Sequence, residues 1–401
     1  MHATAIRSPL RAALSLPVLL LSGLTLVAGC ASPTVDERAS TSPARSTGSG
    51  PSAPAPSGPA LVGLLAPIGA ADREAAELGE ALVNSARLAL ADAGGSNVRL
   101  EVYDTAGSPD RAAAAARNAI ADGADVLVGP LFAESTRAVA PLAARAGINV
   151  ISFSTDASIA GDPVYLSGYL PEAEAERMAQ FASRRQLSPV AVYYPQTPYG
   201  GAAWQGFQRA ADRAGLRIVA AESYPRSFQG IQQTAARFAE AARDAGARAV
   251  LIPDGGQGLR SVGAFLSYAG LSSGHAQYMG LGQWNSPITL EEPALEGGVF
   301  PSPDPDLVRS FISRYSSRFG SRPPNLAVLG YDGVAIAAQM MDAAGSLDDG
   351  VLTRPEGWSG LWGPVRFTSD GRSERGMAIL RVEENGFELI EPAPGTFGAG
   401  F

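Results

Sequence analysis

Side chains able to carry out covalent or acid–base chemistry are scarce in this 401-residue chain. No lysine occurs, so all 31 basic residues are Arg, which excludes a Lys Schiff base and a Walker-type phosphate site. Histidine occurs only as His2 and His275, and cysteine only as Cys30. This leaves no intrachain disulfide, no Cys-rich zinc or iron–sulfur site, and no two-His metal site beyond the N-terminus. The GxSxG string at 270–274 follows a predicted helix rather than a strand, so it is not the strand–turn–helix elbow that presents a serine nucleophile. Asp104-Thr105-Ala106 matches half of an aspartic-protease signature, but that chemistry needs two carboxylates sharing a proton, and no second copy exists. Asp254-Gly255-Gly256-Gln257-Gly258 lacks GxGxxG spacing and reads as a turn between a strand and a helix, whose N-H groups could meet an anion. Glu291-Glu292 and Asp348-Asp349 read as solvated loop charges. The chain is therefore expected to be non-enzymatic, with no cofactor and no bound metal.

The elements around these residues point the same way. At 46% hydrophobic and 17% charged, the composition is that of a globular protein long enough for two lobes with their own cores. The net charge of -8 argues against nucleic acid as a partner. Residues 1–29 read as an export signal, with Arg7 and Arg11 ahead of an apolar stretch at 12–28 that is short for a membrane span. That stretch runs into Leu26-Val27-Ala28-Gly29-Cys30, which resembles a bacterial lipobox and implies lipidation of Cys30. In residues 30–60, Ser, Pro and Gly dominate and bulky apolar side chains are almost missing, so this segment is expected to be a disordered tether behind the lipid anchor. By resemblance to enterobacterial lipoprotein sorting, Ala31 implies delivery to the outer membrane, facing the periplasm.

Beyond residue 60, short apolar runs alternate with Ala-rich helical stretches. Strands are predicted at 61–66, 98–103, 126–128 and 149–152, with helices at 75–92, 109–122 and 135–146 between them. The rhythm resumes with helices at 171–185, 199–214, 231–245 and 259–268 and strands at 190–194, 216–223 and 249–253. Two sets of βα units predict an α/β fold with two doubly wound parallel-sheet lobes, and ligands in such sheets sit beyond the C-terminal strand ends.

The runs VGLLAP, LGEALVNSARLAL, YDTAGSPDRAAAAARNAIADGADVLVGP, AGINVISFSTDAS and LGYDGVAIAAQ, in that order, resemble the type I periplasmic binding proteins of the leucine-binding kind. The resemblance spans residues 61–395 and implies three crossings between lobes, with lobe 1 at about 61–170 and 284–345 and lobe 2 at about 171–283 and 346–395. It also implies a ligand cleft lined by loops after strands. On that basis the cleft candidates are Phe132, Ala133 and Ser135 after the third strand, and Phe153, Ser154 and Thr155 after the next. Tyr199, Asp254, Gln283 and Trp284 complete the set. Amino-acid binders of this family place a hydroxyl near 133 and an acid near 283. Here those positions hold Ala133 and Gln283, leaving Asp254 as the one evident acidic substitute for pairing with an ammonium group.

The GLGQW block, the stretch PDPDLVRSFISRYSSRFGSRPP and the tail LWGPVRFTSDGRSERGMAILRVEENGFELIEPAP resemble the penicillin-binding protein activators, outer-membrane lipoproteins that regulate peptidoglycan synthesis by contact. That resemblance implies a class A penicillin-binding protein as partner. The alternative is a solute-binding lipoprotein that delivers an amino acid or another small polar ligand to an ABC permease.

Overall fold

The computed structural model describes residues 58–94 and 97–397. The expected signal, Cys30 and nearly all of the expected tether lie outside the described residues. Ala60, assigned to the tether, is instead the buried first residue of a strand.

The first part of the chain alternates β1 (Ala60–Ala66), α1 (Arg73–Asp92), β2 (Val98–Asp104), α2 (Pro109–Ala121), β3 (Val126–Val128), α3 (Ala133–Ala146), β4 (Asn149–Ser152) and β5 (Val164–Leu166). The strands form a parallel sheet in the order β2-β1-β3-β4-β5. Because successive side chains of a strand face opposite sides, β1 supplies both layers of the core. Val62, Leu64 and Ala66 pack with α1, whereas Leu61 and Leu65 pack with Ala112, Ala115 and Ala116 of α2. Helix starts follow cap chemistry: the Asp72 carboxylate accepts from the Ala75 N-H, and the Ser108 hydroxyl accepts from the Arg111 N-H with Pro109 at the first helical position.

A second set follows: α4 (Pro171–Arg184), β6 (Val190–Pro195), α5 (Pro198–Ala214), β7 (Ile218–Tyr224), α6 (Phe228–Asp244), β8 (Ala249–Leu251), α7 (Gly256–Tyr268), β9 (Gln277–Met279), α8 (Pro287–Leu290) and β10 (Val299–Ser302). These strands repeat the order of the first sheet, β7-β6-β8-β9-β10. Helices α9 (Pro305–Phe319), α10 (Val328–Ala344) and α11 (Asp349–Leu352) then return to the first lobe. The hairpin of β11 (Val365–Phe367) and β12 (Ser373–Arg375) stays there, and β13 (Ala378–Glu383) and β14 (Gly386–Glu391) add two antiparallel strands to the edge of the second sheet beside β10.

The chain thus passes between the lobes after β5, after β10 and after β12. The expected boundaries at 283/284 and 345/346 need correction. The second lobe continues through Ser302, because β10 hydrogen-bonds β9 and β13. Residues 346–375 remain in the first lobe, because Leu352, Trp358, Val365 and Phe367 fill its core beside α10.

Where α10 crosses α1, only a hydrogen atom fits. A Cβ at Gly330 would lie 2.2 Å from the Leu82 carbonyl oxygen.

Candidate functional site

Both sheets have the doubly wound order in which the crevice lies beyond the C-terminal strand ends, at the switch between the first and third strands. The two sets of loops face each other across the crossings, and two chambers lie between them. One, of about 400 Å3, is bounded by Tyr169 of the first crossing, Glu174, Tyr199, Gln283, Asn285, Trp362 and Met377. The other, of about 580 Å3, includes Thr155, Asp156, Glu172, Gln205 and Arg372. Tyr169 and Tyr199 line both.

Glu174 is the chemically unusual group. It sits in the first turn of α4, immediately after the first crossing, and is buried. Its Oε2 accepts a hydrogen bond from the Tyr199 hydroxyl at 2.8 Å, and the Gly282 N-H also donates to the carboxylate. A Cβ at residue 282 would lie 2.4 Å from Glu174 Oε1, so a larger residue there would displace the carboxylate. No cation pairs with Glu174 among the described residues. Burial pushes its pKa up to about 7 against the opposing pull of the two hydrogen bonds. Burial also raises the phenol groups of Tyr199 and Tyr169 well above their ordinary value, with the Glu174 charge adding to both shifts.

The aromatic wall is held from behind. Tyr169 stacks on Trp362 with ring centroids 3.6 Å apart, and the Arg375 guanidinium lies 5.0 Å from the Tyr169 ring. Arg375 is itself fixed: it donates to Asp332 Oδ2 at 3.1 Å and to the Ser167 carbonyl at 2.7 Å, both partners of the ion pair being almost fully buried. Burial raises the Asp332 carboxyl above its ordinary range, with Arg375 and the Leu361 N-H pulling it down. On the far side, Arg177 donates from Nε to the Met377 carbonyl and from Nη2 to Glu391, bracing the third crossing.

Of the residues expected to line a cleft, Thr155, Tyr199 and Gln283 do so. Phe153 and Ser154 are buried beneath that surface: Phe153 belongs to the first core, and the Ser154 hydroxyl accepts from the Asp156 N-H. Phe132, Ala133 and Ser135 lie at the start of α3 and line neither chamber. Phe132 is partly exposed, and the Ser135 hydroxyl is buried without a hydrogen-bond partner. Asp254 is already engaged, accepting from the Tyr224 hydroxyl at 2.7 Å and from Arg226 Nε at 2.8 Å, so it is not a spare acid for a ligand. Trp284 is a core residue with 0% exposure; its indole N-H donates to the Ile252 carbonyl, and its ring lies where a Cβ of Gly280 or Gly298 would stand.

Glu174, Tyr169 and Trp362 were not anticipated. The available signal was helical spacing: Glu174 shares a face with Met178 and Phe181, four and seven residues on, which places a carboxylate on an apolar stripe.

Two doubly wound lobes joined by three crossings, with a polar and aromatic chamber between them, define a two-lobed α/β binding protein. A family model described as periplasmic binding protein matches residues 61–387, and the chain belongs to that family. Solved structures with this fold include a putative branched-chain amino acid ABC transporter protein from Rhodospirillum rubrum (22% identity, TM-score 0.70, covering 82% of this chain and 99% of that one). Another is an ABC transporter substrate-binding protein from Desulfitobacterium hafniense in complex with Leu (18% identity, TM-score 0.56, 82% and 99% covered). A third is a solute-binding protein from Rhodopseudomonas palustris BisB5 in complex with 3,4-dihydroxy benzoic acid (20% identity, TM-score 0.54, 85% and 98% covered). No curated protein matches the chain by sequence.

Proposed function

We propose that this protein is the solute-binding component of an ABC importer, holding a small ligand between its lobes and presenting it to a permease. The observation that carries this reading is the interlobe chamber with Glu174 and Tyr199 at one wall and Tyr169 and Trp362 at another, within a periplasmic binding protein fold. Its volume falls in the range of small-molecule sites, and its mixture of apolar walls with few polar groups is what such sites use for orientation. The family also supports a periplasmic location. Lipidation at Cys30 and outer-membrane placement are part of the proposal and rest on the sequence 26–30 and on Ala31. Mass spectrometry of the mature N-terminus tests the first, and membrane fractionation the second.

Calorimetric titration of the purified chain against a panel of amino acids, aromatic acids and amines tests the ligand reading. Saturable heat that is weakened by Gln283→Ala or Thr155→Ala supports it; no heat from any member of the panel overturns it. A second reading, contact regulation of a class A penicillin-binding protein, is favoured by Gln283, whose neutral amide stands where amino-acid binders carry an acid. Recovery of such a synthase in a periplasmic pull-down, with no small-molecule heat, would replace the transport reading by this one.

A further inference from the structure

We infer that the Glu174 chamber takes a small organic cation, an amine with a compact apolar body and no carboxylate. This deepens the solute-binding reading and rests on it.

The charge around the chamber is one-sided. Glu174 is the carboxylate on its wall, and no Arg is among the lining residues. Of the buried guanidinium groups behind the walls, Arg375 pairs with Asp332, and Arg177 pairs with Glu391, which it shares with Arg184. A bound ammonium group would gain the unpaired carboxylate, whereas a bound carboxylate would meet it with no compensating cation and lose its hydration. The acceptors suit an N-H donor as well. Glu174 Oε1, the Asn285 and Gln283 side-chain carbonyls, and the Tyr169 hydroxyl, buried and without a hydrogen-bond partner, all belong to residues on the chamber walls.

The remaining lining fits the body of such a molecule. Trp362 and Tyr199 offer aromatic surface, which attracts a cation through the ring quadrupole, and Val308, Leu326 and Met377 offer apolar surface. The neighbouring chamber differs: it contains Arg372 together with Asp156 and Glu172, and it lies beyond Tyr169 and Tyr199. The burial that pushes Glu174 up to about 7 adds a further consequence. A cation would hold the carboxylate ionised and thereby recover part of the energy lost on burying it. The groups facing Glu174 are Tyr199 from α5, the Gly282 N-H from the loop after β9, and Tyr169 from the first crossing, and both phenols stay neutral through this range.

The test is calorimetric titration of the purified chain at pH 8 with isopentylamine and 2-phenylethylamine, compared with L-leucine and benzoate. The expected result is saturable binding of at least one amine, tighter than leucine or benzoate by tenfold or more. Glu174→Gln should weaken the amine at least thirtyfold, and Glu174→Asp should restore part of the loss. Tighter binding of leucine or benzoate than of either amine overturns the cation assignment and leaves the solute-binding reading standing. An amine affinity unchanged in Glu174→Gln also overturns it. Silence from all four probes overturns the assignment, and the wider panel described above then decides the solute-binding reading separately.

Discussion

A buried carboxylate with a pKa near 7 makes Glu174 a cost to the free protein at neutral pH. Its folded value lies above the roughly 4.3 of an exposed glutamate, so between these values the native state holds a proton that the unfolded state has lost. The contribution to stability is therefore complete below about pH 4 and is lost as pH rises through 7. Glu174→Gln should leave stability at pH 4 nearly unchanged and raise it at pH 8 by on the order of 3 kcal/mol relative to the native chain. Urea unfolding at the two pH values measures this, and equal effects at both would contradict it. The buried pair Asp332–Arg375 behaves differently. Asp332→Ala strands a buried guanidinium and should cost about 3–5 kcal/mol, whereas Asp332→Leu combined with Arg375→Met should cost distinctly less.

The same scale shows why part of the site was legible and part was not. Thr155, Tyr199 and Gln283 lie three or four residues past β4, β6 and β9, in the loops and helix starts that a doubly wound sheet turns toward the crevice. Trp284 follows Gln283 in the same loop, yet a tight 3-10 turn sets neighbouring side chains about 120° apart, and Gly280 and Gly298 open the space that receives the indole. Glu174 was missed because an acid in the first turn of a helix has an ordinary explanation in the helix dipole. Only its coincidence with the apolar face of α4 sets it apart.

At the scale of elements, the sequence carried most of the fold. The βα alternation, the caps and the Ala-rich helices are local signals, and the predicted helices and strands of 61–268 match those observed to within a few residues. Which lobe a late element joins is not local. Nothing in Val299-Phe300-Pro301-Ser302 distinguishes a strand of the second sheet from one of the first. The assignment is made by its hydrogen bonds to Met279 on one side and to 378–381 on the other. A further expectation concerns helix packing. Gly330→Ala would drive a Cβ into the Leu82 carbonyl, where backbone cannot yield as a flexible side chain can. It should destabilise by about 1–3 kcal/mol, the usual cost of overpacking, read from the shift of the denaturation midpoint.

Considered whole, the chambers have walls from both lobes, and only three short segments join those lobes. A ligand touching both walls favours the arrangement in which they are closer, by as much as it binds that arrangement more tightly. Addition of a saturating ligand should lower the radius of gyration in solution scattering and slow amide exchange at 167–170 and 376–377. An unchanged radius would mean that the lobes are fixed in one arrangement.

The three crossings bear also on the order in which the protein is made. The first sheet is complete at Leu166, but its core waits for α10 and Trp358; the second sheet is closed only by β13 and β14, near the far end of the chain. A nascent chain emerging from the ribosome therefore exposes half-covered parallel strands until its last segments arrive, and pairings so distant in sequence are slow to form. Neither lobe can be cut out as a contiguous fragment, and synthesis halted before residue 378 would leave β10 as a bare, apolar edge available to another copy.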